Sequence, residues 1–228
     1  MLTLSLATIL EEALSEHKNL TGNISDIEEL LKPENLARVQ ELAKVFAFLA
    51  FHPAADAGVC DYVRSGTLAD DSGPDVLALF NLEAPAPTPT PVGDQAFAAW
   101  LQVDSGTHPS YRMVHDLFAE ASVPPLPGLL FFYADWASKT GAVYVPLGGA
   151  EAEADVRTLA RQVFAMAAKV ADPADSRKAL DRLCVALSKE RIDYRKTRRA
   201  SMKEWLITSF RFVTEHGGDI VSAVGLIV

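Results

Sequence analysis

The stretch KVFAFLAFH, Lys44 to His52, is apolar at every position between its two ends. It has no polar face to turn toward water, so it must be covered on more than one side, by its own domain or by another subunit. Its surroundings read as helical. Pro33 suits a first helical turn, where its missing N–H costs nothing, and Leu36, Val39, Leu42, Ala43, Phe46, Leu49 and Ala50 follow at three- and four-residue steps up to Pro53. The expectation is a long core helix over 36–51.

Toward the N-terminus, Leu6, Ile9, Leu10, Ala13 and Leu14 fall on one face of a short amphipathic helix that ends near Asn19. The opening MLTLSLATIL is apolar, but no basic residue precedes it and Glu11, Glu12 and Glu16 follow, so it reads as a helix rather than a secretory signal. Ser25 and Glu28 form a capping-box pair for a further short helix to Leu31. Residues 1–54 are thus expected to be a helical arm.

The middle of the chain, 55–172, changes character. VLALFNLE (76–83), AFAAWLQVD (96–104), LPGLLFF (126–132) and AVYVPL (142–147) are short apolar or alternating runs bounded by Pro, Gly and Asp, and they read as strands. Helical patterns lie between the second and third strands (109–121) and after the fourth, where Val156, Leu159, Ala160, Val163, Phe164 and Ala167 share a face. The order is β, β, α, β, β, α. The Pro-rich run APAPTPTPVGDQ (84–95) reads as an extended loop, because each Pro removes a donor and fixes φ. From 173 to 228 the chain is helical again, with Ala179, Leu180, Leu183, Cys184 and Leu187 on one stripe and Met202, Trp205, Leu206, Phe210 and Val213 on another.

With 49% hydrophobic and 22% charged residues, the 228-residue chain has the composition of a folded globular protein. Cys60 and Cys184 stand far apart and outside any metal-ligand or C-x-x-C spacing, so both read as buried thiols. No apolar stretch is long enough for a transmembrane helix, and the expected location is cytoplasmic. The net charge of −9 is uneven: residues 1–170 carry −12 and residues 171–228 carry +3. Such asymmetry fits either an anionic partner or packing of the tail against the acidic remainder.

No nucleotide-binding loop, nucleophile elbow, zinc-protease motif or calcium loop occurs, and no cofactor or metal is expected. The best dispersed constellation lies around a helix start, where Asp104, His108, Tyr111, His115, Asp116 and Glu120 include the acid–base or metal candidates Asp104, His108 and His115. The loop Asp70–Asp75 reads as a solvated turn. The run 189–203 holds seven basic and two acidic residues, namely Lys189, Arg191, Arg195, Lys196, Arg198, Arg199 and Lys203 against Glu190 and Asp193. It reads as a solvated, salt-bridged helix face, or alternatively as a contact for nucleic acid or an acidic partner. The tail DIVSAVGLIV (219–228) is too apolar to be left in water, so Ile220, Val224 and Ile227, with Trp205 and Phe210, are candidate assembly contacts.

From about Asp75 to Val170 the succession resembles the later part of a thioredoxin-like fold. VLALFNLE resembles the strand leading to the redox site, FAAWLQVDSG its neighbour, LPGLLFF the strand after the cis-proline, and GAVYVPLGG the closing hairpin before a terminal helix. The resemblance makes Pro127 the cis-proline candidate. Where that family carries C-x-x-C, the matching position here falls on Pro85-Ala86-Pro87-Thr88, so redox chemistry is not implied. The fold expected is α+β or α/β, a small mixed sheet, thioredoxin-like or built of two ββα units, flanked by N- and C-terminal helices. The function expected is a noncatalytic protein-interaction or assembly module that binds a protein partner or itself, with the acid–base enzyme and the anionic-partner binder as alternatives.

Overall fold

The computed structural model describes residues 2–5, 43–52, 55–80, 109–118, 123–133, 141–148, 152–172, 175–197 and 200–205. Within the apolar run from Lys44 to His52, Val45, Ala47, Leu49 and Phe51 enter one core, while Phe46, Phe48 and Ala50 enter another. That alternation is the period of a strand, and Val45–Ala50 is strand β2, buried at all six positions. The helix expected over 36–51 is therefore corrected across 45–50, and 36–42 lie outside the described residues. A run apolar at every position satisfies the helical and the extended period equally, so only its neighbours decide between them.

β2 is flanked on both edges. Among the described residues the strands β1 (Leu2–Ser5), β3 (Val76–Phe80), β4 (Gly128–Tyr133), β5 (Ala142–Pro146) and β6 (Arg195–Thr197) form with it a six-stranded sheet in the order β1-β3-β2-β4-β5-β6. β1 and β2 both run parallel to β3, whereas β4 is antiparallel to β2, β5 to β4, and β6 to β5. The helix expected at the N-terminus is corrected at 2–5, which is strand. The basic run is corrected as well, since Arg195–Thr197 pairs with β5 instead of lining a helix.

Helices cover both faces. On one side lie α1 (Ala57–Arg64), α2 (Thr67–Ser72), α4 (Glu153–Val170) and α5 (Ser176–Lys189), packed with Val45, Ala47, Val76, Leu129, Phe131 and Val143. On the other, α3 (Pro109–Phe118) contributes Val114 and Phe118, and the segment 200–205 contributes Ala200, Met202 and Trp205. A mixed sheet with both faces covered needs apolar side chains in both directions, which is why its inner strands read as continuous hydrophobic runs. The described parts of 1–54, 55–172 and 173–228 thus share one sheet; the expected arm supplies strands to it. Among the described residues no helix is long and apolar enough to cross a membrane.

Candidate functional site

The chain leaving β2 and the chain entering β4 meet at one end of the sheet, because Ala50 is paired with Gly128. The Leu126–Pro127 peptide bond there is cis. Past Phe51 the backbone turns into α1: the N–H groups of Ala55 and Asp56 donate to the His52 carbonyl at 3.0 and 2.9 Å. The His52 N–H donates back to the Asp56 carboxylate at 2.6 Å. The carboxylate at the head of α1 therefore closes the turn on its own chain, where it also suits the positive end of the helix.

Across this turn, the Tyr144 hydroxyl donates to the Pro125 carbonyl at 2.8 Å, and the Phe118 ring meets the Tyr144 ring edge-on at 6.1 Å. Burial pushes the Tyr144 phenol far above its ordinary value, and the negative field of Asp56 adds to that. Tyr144 is thus a neutral donor at any physiological pH. The ring lies against Gly128, where a Cβ would overlap it.

Cysteine chemistry is not poised at this junction. Residues 51–57 contain no cysteine, and Cys60 lies a turn farther along α1, buried in the core. Burial pushes its thiol up, Arg64 opposes this, and Asp61 and Asp56 reinforce it. Cys184, buried on α5, is raised too, first by its burial. Neither thiol is drawn toward the thiolate that a nucleophile or redox centre requires. The strand that ends beside the cis peptide and leads into a helix is β2. Residues 85–88 lie outside the described residues.

Of the acid–base candidates, Asp104 and His108 lie outside the described residues. His115 sits on the exposed side of α3, its Nδ1 3.7 Å from the carboxylate of its neighbour Asp116. Among the described residues, no group of three or more His, Cys, Asp or Glu is placed to hold a metal ion.

The basic run divides. The Lys196 ammonium pairs with Asp181 of α5, and Tyr194, half-buried against the core, accepts a hydrogen bond from the Ser188 hydroxyl at 3.3 Å. Lys189, Arg191 and Arg195 are exposed at the tip where α5 turns into β6. That turn closes with Ile192 N–H on the Leu187 carbonyl at 3.0 Å and Arg191 N–H on the Ser188 carbonyl at 3.2 Å, with Arg191 at φ 58°. Lys203 is half-exposed, and Arg198 and Arg199 lie outside the described residues. Of the assembly candidates, Trp205 is buried in the chain's own core, 4.9 Å from the Phe48 ring and 5.4 Å from that of Phe132. Phe210, Ile220, Val224 and Ile227 lie outside the described residues.

One cluster escapes sequence reading. The Asp71 side chain, only 4% exposed, accepts from Arg157 Nε at 2.8 Å and from Arg161 at 3.0 and 2.8 Å. The expected solvated turn at 70–75 is corrected here: its second residue is an anchor between α2 and α4. The four-residue spacing of the two arginines was visible, but nothing in it points to a partner 86 residues away.

In comparisons with known proteins, no family model, no curated protein and no solved structure matches the chain.

Proposed function

We propose that the chain is a noncatalytic protein-interaction or assembly module on a redox-inactive thioredoxin-like scaffold. The scaffold reading is supported by the order β1-β3-β2-β4-β5, with its first three strands parallel, its last two antiparallel, and a cis-proline entering β4. The single observation that carries the redox-inactive reading is the turn facing that proline. It holds His52 and Asp56 bonded to each other, while the thiol of α1 is buried and raised. A redox centre needs an accessible sulfur with a lowered pKa, and this geometry supplies the reverse.

The test combines two measurements on the full chain. Thiol–disulfide exchange with a small disulfide is expected to be slow and to accelerate only on unfolding, and the Cys60→Ser/Cys184→Ser variant is expected to keep its self-association or partner binding, read by light scattering. Disulfide turnover that disappears with Cys60→Ser while circular dichroism is unchanged overturns the noncatalytic reading. A wild-type chain that stays monomeric and recruits no partner from its native source overturns the interaction reading.

A further inference from the structure

We propose that the tip formed by the end of α5 and strand β6 docks an acidic, extended segment of a partner protein, an inference that rests on the interaction-module reading. Elsewhere in the described structure several basic side chains have found carboxylates: Lys44 with Asp75, Arg182 with Asp172, Arg157 and Arg161 with Asp71. At the tip, Lys189, Arg191 and Arg195 are exposed with Glu190 and Asp193 between them, and none of the three cations forms an ion pair among the described residues. Arg191 moreover occupies the left-handed position that closes α5, where glycine is the residue of lowest cost. The position carries a long cation where no side chain is needed for the turn.

Among the described residues β6 is one of the two outer strands of the sheet, paired with β5 on one edge. Among the described residues no second strand lies on its other edge. An outer strand presents a row of N–H and C=O groups that an extended peptide takes up, and Arg195 places a positive charge beside them. The edge geometry favours an extended acidic peptide over nucleic acid, because β6 offers backbone partners that a polyphosphate does not use. Tyr194, the one aromatic residue of the run, is tied to Ser188 and packed against the core, so no stacking platform is offered to bases.

The test titrates the full chain with a fluorescent peptide of alternating Glu and Val, its Lys-for-Glu counterpart, and single-stranded oligothymidylate. The Glu peptide is expected to bind at low salt, to weaken about tenfold or more as salt is raised, and to protect the amides of Arg195–Thr197 from hydrogen exchange. Lys189→Glu/Arg191→Glu/Arg195→Glu is expected to abolish that binding with circular dichroism and thermal midpoint retained. Tighter binding of oligothymidylate, no binding of the Glu peptide at low salt, or undiminished binding by the charge-reversed variant each overturns the proposal. If the wild-type chain associates by light scattering but does not bind the Glu peptide, this surface alone is wrong. If the wild-type chain shows no association at all, the interaction reading falls first and takes this one with it.

Discussion

Gly128 and Arg191 carry opposite backbone lessons. Gly128 is required by packing, because any Cβ there would collide with the buried Tyr144 ring, whose hydroxyl is held by the Pro125 carbonyl. Gly128→Ala is expected to destabilise the fold by about 1–3 kcal/mol, the usual penalty of overpacking. In a urea titration with Tyr144→Ala, the two effects should fall short of additive; full additivity would separate the glycine from the ring. Arg191 is a side chain where glycine is preferred, at φ 58° in the helix-closing turn. Arg191→Gly is expected to raise stability by about 0.5–1 kcal/mol. A lowered thermal midpoint would mean that the guanidinium holds the fold.

At the level of elements, the pairing of α2 with α4 depends on ionisation. Burial alone would raise the Asp71 carboxyl, but the hydrogen bonds and charges of Arg157 and Arg161 outweigh it and hold the group below the ordinary carboxylate range. The folded chain therefore binds this proton less readily than the unfolded chain does. Its contribution to stability is complete above the ordinary Asp value of about 3.9 and is lost as pH falls through the depressed one. Asp71→Asn should lower the urea midpoint at neutral pH, with the gap from wild type closing in strong acid. A gap of equal size at both pH values would show that shape, not charge, makes the contact.

At the scale of the molecule, β2 and β4 send alternate side chains into both cores, so the two faces are expected to unfold as one cooperative unit. Phe164 packs edge-on to Phe131 on one face, and Trp205 packs against Phe48 and Phe132 on the other. Phe164→Ala and Trp205→Ala should each cost about 3–5 kcal/mol and should each shift a single unfolding transition followed by circular dichroism. Two separated transitions in either variant would show that the faces unfold independently.

Local pattern alone determined a good part of this protein. The strands at 76–80, 128–133 and 142–146, the helices at 109–118, 153–170 and 176–189, the buried thiols and the mixed α+β class all follow from short-range spacing and from residues that start or stop an element. Tertiary structure alone decided the rest. Val45–Ala50 fits the helical and the extended period equally, and it became a strand because partners lie on both its edges and helices on both faces of the sheet. Leu2–Ser5 and Arg195–Thr197 are too short to display a period, and hydrogen bonds to distant strands define them. The Asp71 anchor and the turn opposite Pro127 join residues far apart in the chain, and a spacing rule carries no information about which distant side chain will arrive.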